Sequence, residues 1–599
     1  MTTPRWLIFD IETHSSDLLY ELSPEEFFRL GGYAWNKGEV ILTEDLEEIR
    51  EQILQADKII GHNIHRFDLP AIFGVDSVLP LELALEGKVY DTWTHAKLCM
   101  PAPWSYTGRD GKTYLSNDPA KARRWFGLDN LCYQLGLDGK VESLKALSKR
   151  HGGFGEIPVD DPEFRAYLVG DVEASRDLAR ALLGKLPLRG YPTREQLNDA
   201  IDAQNTRNGW RVDAAAAEAR VAELDAERDR YMAYLVERYD MPTEGKAPLR
   251  SNAGKAAVLR ALESVGIRED DLPRTGKGAP SLGGDGLIEA AAGKGEEAEK
   301  LASNIAALGG MRPLAEAALK HVHADGKVHP DVDALQISGR KSTTDPGLTV
   351  WTSRGDGAVE KSYFVPNSPD ELLVEFDYSQ ADARIVAAYS GDLEFAKRFA
   401  PGADMHMITA ELIWGKEVVA TNPPLYRQQA KPVTHGSAYG AGAKTLARNT
   451  GQPLEDMERY VQNYAAAYPK VMAWRKRVVQ EAERYGYVTN AWGRRMKVDE
   501  GREFTQAPAL YGQSGTAELI RDALVTLAER DVSVIRMLVA QVHDALVFSI
   551  PKDRLEEVCA LVKEAMEVWW QPPDGSGQRV HFPVGMGEPA VNWMEASHG

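Results

Sequence analysis

Hydrophobic and polar positions divide the chain into a mixed N-terminal part and a more helical remainder. Over residues 1–188, short apolar runs alternate with helical patterns. This part ends in a helical run over residues 164–183, which is followed by Gly184 and Pro187. The pattern predicts an α/β domain at the N-terminus.

The remainder of the chain has a different pattern. Residues 214–238 are dense in Ala, Glu, Arg and Leu, which predicts a long exposed helix, and residues 272–295 are rich in glycine, which predicts a mobile loop. A strand-like run follows at 372–376, then a mostly helical stretch, and then an apolar hairpin pattern at 537–550. The sequence therefore predicts a multidomain protein that combines α/β and α+β parts.

Composition narrows the functional classes only in part. The chain has 599 residues, and because single cores stop growing at roughly 250 to 300 residues, we expect three or four structural units. A formal net charge of -19 opposes binding to a polyphosphate, yet 70 Lys and Arg residues can still form a local basic cleft. The three cysteines lack metal-ligand spacing, and no stretch approaches the roughly 20 apolar residues of a membrane span. We expect a soluble cytoplasmic protein.

A first group of acids lies in the N-terminal part. Asp10 and Glu12 alternate with apolar residues, so both project from one face of a strand. Asp68 follows at a loop-to-helix junction, and Tyr167 precedes Asp171 by one helical turn. Acids after strands are also ordinary turn residues, but clustered carboxylates beside a phenol fit two-metal hydrolysis of a phosphodiester.

A second pair of acids lies in the C-terminal half. Asp377 ends a buried strand, and His543 with Asp544 forms the tip of a hairpin. If the two strands are neighbours in one sheet, Asp377 and Asp544 can hold two magnesium ions ~3.5 to 4 Å apart. This arrangement suits nucleotidyl transfer.

A helix that follows Pro423 and Pro424 carries a cationic ridge. Residues of interest recur every fourth position on it: Arg427, Lys431, His435 and Tyr439. The two cations suit a triphosphate, and the two rings offer flat surfaces for a sugar and a base. The spacing alone is more typical of a solvated amphipathic face.

These segments resemble two known families. The three N-terminal segments are similar to the motifs of the DnaQ-like 3′ to 5′ proofreading exonucleases, including the spacing of Tyr167 and Asp171. The segments around Asp377, Arg427 and Asp544 resemble motifs A, B and C of the family A DNA polymerases, the bacterial polymerase I group. Further segments resemble that family: Gly339-Arg340-Lys341-Ser342, Asp345-Pro346, Asp404-Met405-His406, Gly493-Arg494-Arg495, Gln513-Ser514-Gly515-Thr516-Ala517 and Asn592-Trp593.

The resemblance implies a domain order. An RNase H-like exonuclease domain over residues 1–190 would precede a right-hand polymerase. The hand would comprise a thumb with the start of the palm (191–335), palm with motif A (336–395), fingers with motif B (396–500) and palm with motif C (501–599). Implied ligands are two Mg²⁺ ions per site, with Mn²⁺ as a possible substitute, primer-template DNA and dNTPs. We expect a monomer that makes no contact with membrane.

The resemblance also implies residue roles. The exonuclease metal ligands would be Asp10, Glu12, Asp68 and Asp171, with Tyr167 orienting the nucleophile. The polymerase metal ligands would be Asp377, Asp544 and the backbone carbonyl of Tyr378. Contacts to the incoming nucleotide would come from Arg427, Lys431, His435, Tyr439, Gln380 and Asp382, and Lys431 would also protonate pyrophosphate. Contacts to DNA would come from Arg340, Gln513, His543 and Arg494.

The chain departs from the family pattern at four positions. Asp382 stands where relatives carry Glu against a ribose 2′-hydroxyl, and His435 stands where they carry Phe or Tyr. Ala545 replaces the acid that usually follows the motif C aspartate. Pro432 lies inside the basic helix, where it predicts a bend over residues 428–432.

Two alternatives stay open from sequence. One is an exonuclease whose polymerase half has decayed into a DNA-binding module, and the other is an enzyme that makes RNA. The N-terminus leaves no room for a 5′ nuclease, so a phage replicative enzyme acting in the host bacterial cytoplasm is expected, although a cellular repair polymerase would look similar.

Overall fold

The computed structural model describes residues 4–115, 123–137, 144–245, 248–274, 279–311, 314–333, 336–351, 355–400, 402–438 and 441–597. The chain forms two compact units. One comprises Met1–Arg211 with His323–Gly599, and the other comprises Val212–Val322.

The strands described are β1 (Trp6–Thr13), β2 (Phe28–Trp35), β3 (Ile41–Thr43), β4 (Lys58–Gly61), β5 (Val89–Asp91), β6 (Ser105–Thr107), β7 (Thr113–Leu115), β8 (Trp210–Arg211), β9 (Lys327–Val328), β10 (Asp331–Asp333), β11 (Ser342–Thr344), β12 (Glu371–Tyr378), β13 (Tyr487–Thr489), β14 (Arg495–Lys497), β15 (Leu538–Val542), β16 (Ala545–Pro551), β17 (Val568–Trp570), β18 (Val580–Phe582) and β19 (Val584–Met586).

The α-helices described are Pro24–Phe27, Leu46–Gln55, Asp68–Phe73, Leu79–Leu85, Thr92–Cys99, Leu128–Leu135, Leu144–His151, Pro162–Lys185, Tyr191–Asn208, Ala214–Tyr239, Asn252–Ser264, Gly284–Ala291, Glu296–Gly310, Leu314–Lys320, Ala381–Ser390, Leu393–Ala396, Met405–Trp414, Lys416–Val419, Pro423–Ala438, Ala443–Thr450, Leu454–Ala467, Pro469–Tyr485, Glu503–Arg530, Val532–Ile535, Leu555–Met566 and Trp593–Ala596.

A five-stranded mixed sheet carries the N-terminal acids. Its strand order is β3-β2-β1-β4-β5, with β1 antiparallel to β2 and parallel to β4. The central position of β1 explains its nearly continuous burial. The predicted helix over 164–183 is confirmed as Pro162–Lys185, which packs on β1 and begins where Asp161 accepts hydrogen bonds from the Glu163 and Phe164 backbone amides.

A four-stranded antiparallel sheet carries the C-terminal acids. Its order is β15-β16-β12-β19, and both the strand and the hairpin predicted here are confirmed. In the register of β12 and β16, Phe376 pairs with Leu546 and Asp377 pairs with Ala545. One hydrophobic core contains residues of this sheet, such as Phe376 and Phe548, together with Leu7 and Phe9 of the N-terminal sheet.

The Val212–Val322 unit is helical and has its own core, which includes Leu235, Leu262 and Leu301. The long helix predicted over 214–238 is confirmed as Ala214–Tyr239. The mobile loop predicted over 272–295 was wrong in part, because the segment contains the helix Gly284–Ala291. Leu287 and Ala291 lie one turn apart and are buried, so this helix has an apolar face that the glycine content conceals.

Two further helices position the sites. Helix Pro423–Ala438 continues through Pro432. The bend predicted over residues 428–432 stays a prediction. Tyr191–Asn208, called the polar helix below, lies between the two large sheets and contacts β5, β10 and β15. Over the residues described, no helix is long and apolar enough to cross a membrane.

Candidate active sites

The N-terminal carboxylates meet on one face of the first sheet. Asp10 and Glu12 project from the same face of β1, and Asp171 comes from helix Pro162–Lys185. One oxygen from each of these three residues lies within 4.8 Å of the others. Hard divalent cations prefer oxygen ligands of this kind, so the cluster suits such a cation.

Asp68 lies beside this cluster. It begins helix Asp68–Phe73 and is buried. Burial is the main reason that its pKa rises to about 7, with additional contributions from the nearby carboxylates of Asp91 and Asp171. Tyr167 is half-buried, one turn before Asp171 on the same helix.

Asp91 is a site residue that the sequence reasoning missed. Its carboxylate accepts hydrogen bonds from the Asn63 amide at 2.8 Å, the His65 amide at 3.2 Å and the Trp93 amide at 2.8 Å. These bonds fix the loop that leads into Asp68. The available signal was its place at the end of a buried strand, the same signal that identified Asp377.

The C-terminal carboxylates also meet. Because Asp377 pairs with Ala545 across β12 and β16, Asp544 is its immediate neighbour at the hairpin tip. The Tyr378 amide donates a hydrogen bond to the Asp544 carbonyl at 3.3 Å, which ties the strand end to the tip. His543 turns the chain with a φ of 58°, as tight hairpin connections require at their first residue.

The electrostatics of this pair fit a bound cation. Asp377 Oδ1 is buried and has no hydrogen-bond partner among the residues described. Burial, with the nearby Asp544 and Glu375 carboxylates, raises the pKa of Asp377 to about 7. Burial and then Asp382 raise the pKa of Asp544. Two half-buried neighbouring carboxylates with raised pKa values are the kind of donor set that a divalent cation stabilises.

Asp382 is held in place by two side chains. Arg340 Nη2 donates to its two oxygens at 2.8 and 2.9 Å, and Thr516 Oγ1 donates to Oδ1 at 2.6 Å. The shorter acid at this position therefore has a fixed orientation. A contact of Arg340 with a primer terminus stays a prediction, since here the guanidinium pairs with Asp382.

On the basic helix, Pro423–Ala438, the first basic side chain already has an acidic partner. Arg427 Nε donates to Asp404 Oδ2 at 2.5 Å, and Asp404 itself caps helix Met405–Trp414. Lys431 is half-buried one turn further along. The side chain of His435 and the whole of Tyr439 lie outside the described residues.

Three other residues were predicted to contact nucleotide or DNA. Gln380 is exposed and begins helix Ala381–Ser390 with a φ of 58°. His543 is exposed at the hairpin tip, and Gln513 is half-buried on helix Glu503–Arg530. Their roles toward nucleotide and DNA stay predictions.

Arg494 requires a correction. Its guanidinium is buried and donates to Glu195 Oε2 and Glu518 Oε1, both at 2.9 Å. A guanidinium that is committed to two buried carboxylates cannot leave them without a large desolvation cost. We therefore assign Arg494 to internal positioning and withdraw the predicted contact with DNA.

A polar cluster behind Asp377 was also missed. Glu375 accepts hydrogen bonds from Trp593 Nε1 at 2.8 Å and from Ser597 Oγ at 3.2 Å. Lys361 Nζ donates to Ser597 Oγ at 3.0 Å and lies 4.0 Å from the Trp593 ring centroid. The Asn592-Trp593 segment was noticed in the sequence, but its partners lie far away along the chain.

A strand-end acid and a hairpin-tip acid therefore share one antiparallel sheet, within a chain that combines α/β and α+β parts. The same fold occurs in the "POL domain of Pol1 from M. smegmatis complex with DNA primer-template and dNTP", with a TM-score of 0.72 and 19% identity over 98% of this chain and 96% of that one. Residues 296–586 match DNA polymerase family A. This match covers somewhat less than half of the chain.

Two curated relatives to which the chain is similar are also DNA polymerases. The DNA polymerase of Mycobacterium phage D29 is 26% identical, over 88% of this chain and 85% of that protein. The thermostable DNA polymerase I of Thermus thermophilus is 32% identical, over 81% of this chain. The chain spans only 60% of the length of that Thermus protein.

Proposed function

We propose that the protein is a template-directed DNA polymerase that also carries a 3′ to 5′ proofreading exonuclease. The observation that supports synthesis most directly is the pairing of Asp377 with Ala545, which puts Asp544 beside Asp377. The separate group of Asp10, Glu12 and Asp171 supports a second, hydrolytic centre.

In the polymerase centre, Asp377, Asp544 and the Tyr378 carbonyl would hold two Mg²⁺ ions, with Mn²⁺ as a substitute. When bound, such ions neutralise the charge that develops on a phosphate under attack. Arg427 and Lys431 bind the triphosphate of the incoming dNTP, and Lys431 donates a proton to the leaving pyrophosphate. Because Arg427 is paired with Asp404, it exchanges one carboxylate for phosphate oxygens when nucleotide binds.

Asp382 borders the sugar of the incoming nucleotide. Its hydrogen bonds to Arg340 and Thr516 hold the carboxylate in one orientation, so discrimination against a ribose 2′-hydroxyl depends on these partners. Gln380, His435 and Tyr439 complete the nucleotide site, and Gln513 and His543 contact the primer-template.

In the exonuclease centre, Asp10, Glu12, Asp68 and Asp171 would hold the cations. Tyr167 orients the attacking water toward the terminal phosphodiester. The Asp91 carboxylate holds the loop before Asp68 and so keeps the fourth acid beside the cluster.

The domain assignment follows the same proposal. Residues 1–190 form the RNase H-like exonuclease domain, and 336–395, 396–500 and 501–599 form palm, fingers and palm. For the thumb we propose Val212–Val322, the separate compact unit, which is shorter than the 191–335 predicted from sequence. The enzyme acts as a monomer in the cytoplasm, that of a host bacterium if a phage encodes it.

The decisive experiment separates the two centres. With a primer-template, Mg²⁺ and dNTPs, Asp544→Ala should abolish extension and leave degradation of the primer end intact, and Asp10→Ala should do the reverse. The two variants serve as controls for each other. Loss of both activities from either single change would contradict two independent sites.

The same assay tests the alternatives. An exonuclease with a decayed polymerase half would degrade primers and never extend them, and the features in favour of this alternative are Ala545, His435 and Pro432. An enzyme that makes RNA would prefer ribonucleotides when the two nucleotide types are offered separately.

A further inference from the structure

The polar helix Tyr191–Asn208 has an unusual composition for a buried element. Half of its 18 residues are polar or charged and buried. Buried polar groups are costly unless each finds a partner, so their partners show what the helix positions.

One set of partners belongs to the loop that leads to Asp68. Asp199 Oδ2 accepts from Arg66 Nη1 at 2.6 Å, and Arg66 lies two residues before Asp68. Gln196 forms two hydrogen bonds with the Asp91 backbone, at 2.8 and 3.1 Å. The Asp91 carboxylate holds the same loop. The polar helix therefore contacts this loop directly, through Asp199 and Arg66, and indirectly, through Gln196 and Asp91.

A second set of partners belongs to the polymerase centre. Gln541 Nε2 donates to Asp202 Oδ1 at 3.0 Å and to Asn205 Oδ1 at 3.1 Å. Gln541 lies on β15, three residues before Asp544. Lys341, the neighbour of Arg340, also donates to Asp202. The helix therefore contacts both the hairpin that carries Asp544 and the segment that orients Asp382.

Asp199 and Asp202 are one helical turn apart, yet they serve different centres. Burial opposes ionisation of Asp199, but Arg66 and Lys97 outweigh it and hold its pKa well below the ordinary range. For Asp202, burial outweighs the nearby Lys341 ammonium, so the pKa is raised. Each carboxylate is thus fitted to its own cationic partner.

We propose that Asp202 is a positioning residue of the polymerase centre and that Asp199 is a positioning residue of the exonuclease centre. The inference rests on the proposed function, because it requires both activities. The helix then sets the place of Asp544 through Gln541 and the place of Asp68 through Arg66. A shift of Asp202 displaces Gln541 and Lys341, and a shift of Asp199 displaces Arg66.

The test uses full-length Asp199→Asn and Asp202→Asn in the primer extension and degradation assays. Direct partners of metal ligands typically contribute about 10- to 100-fold to activity, and Asp202 lies one contact further away, so Asp202→Asn should lower extension by about three- to tenfold. It should leave degradation within about twofold of the unsubstituted protein, because the Arg66 contact is intact. Asp199→Asn should show the opposite pattern.

A second readout distinguishes positioning from general loosening. The Mg²⁺ concentration for half-maximal rate should rise for extension alone in Asp202→Asn, and for degradation alone in Asp199→Asn. Lys341→Met, which removes the other partner of Asp202, should reproduce the Asp202→Asn pattern. If these variants lower both activities in equal proportion, the inference is wrong.

Asp392→Asn provides the matched control. Asp392 is equally buried and accepts backbone hydrogen bonds from Phe395 and Lys470, away from both centres. It should lower the unfolding temperature without changing the ratio of the two activities. If the unsubstituted protein does not degrade primers, the proposed exonuclease function is wrong. If it shows both activities but the variants do not affect one of them selectively, only the roles assigned to Asp199 and Asp202 are wrong.

Discussion

Replacing Asp377 by Asn should make the metal-free protein more stable while abolishing synthesis. Asp377 Oδ1 is buried without a hydrogen-bond partner among the residues described, and Asp544 and Glu375 add negative charge nearby. The carboxylate is therefore a destabilising group until a cation compensates it. An amide of the same shape carries no net charge and escapes that penalty.

The magnitude follows from the raised pKa. Asp377 has a pKa of about 7 in place of its ordinary 3.8, and each pKa unit corresponds to about 1.4 kcal/mol, so ionising it costs the fold at most about 4 kcal/mol. The introduced amide is itself buried without a full set of hydrogen-bond partners, so the substitution gains only part of these roughly 4 kcal/mol. We expect Asp377→Asn to raise the free energy of unfolding by about 0.5 to 2 kcal/mol above pH 8.

The direction of the pKa shift of Asp377 also determines how the stability of the protein depends on pH. The folded state binds this proton more tightly than the unfolded state, so the stability of the unsubstituted protein falls as pH rises from about 4 to about 7. The advantage of the Asn variant should therefore grow across this window and stay constant above it.

Thermal unfolding in EDTA and in MgCl₂, from pH 4 to pH 9, measures both effects. Mg²⁺ should stabilise the unsubstituted protein in proportion to its occupancy of the native site and should stabilise Asp377→Asn less. Asp370→Asn, an exposed acid one residue before β12, is the control and should behave as the unsubstituted protein. A metal-free Asp377→Asn variant that is less stable at pH 8 would refute the reasoning.

Three other changes test individual contacts. Thr516→Val removes one of the hydrogen bonds to Asp382, so the ratio of ribonucleotide to deoxyribonucleotide kcat/KM should rise, and an unchanged ratio would remove Thr516 from sugar selection. Trp593→Ala should lower the free energy of unfolding by about 3 to 5 kcal/mol, because it empties a buried site and removes a hydrogen bond to Glu375, as chemical denaturation can measure. Pro432→Ala restores a helical hydrogen bond and should raise the unfolding temperature; no change would mean that the helix already accommodates the proline.

The sequence was sufficient to predict the acids that lie on or at the ends of strands. Asp10 and Glu12 alternate with apolar residues, and Asp377 ends a buried run, so the side-chain period of two fixes their faces without tertiary information. The meeting of Asp377 with Asp544 needed one further assumption, that their strands are neighbours. The register of β12 and β16 supplies it.

Arg494 shows where such reasoning ends. An arginine in a Gly-Arg-Arg run is typical of a surface that binds phosphate, and nothing local distinguishes it from a buried one. Its two partners, Glu195 and Glu518, are separated from it by 299 and 24 residues. Only the tertiary fold reveals that its charge is already neutralised.

The polar helix was beyond prediction for the same reason. A helix with Asn, Asp, Gln and Arg on most of its surface predicts exposure to water, because a hydrophobic stripe is the usual sign of burial. The helix can be buried because its acids find partners on both sides. Arg66, 133 residues away in the chain, pairs with Asp199, and Gln541, 339 residues away, pairs with Asp202. Hydrophobic contacts would hold these segments together but would not fix their orientation, since such contacts are non-directional. Directional bonds to buried carboxylates fix it, which is why the helix that contacts both groups of acids is polar where a simple spacer would be apolar.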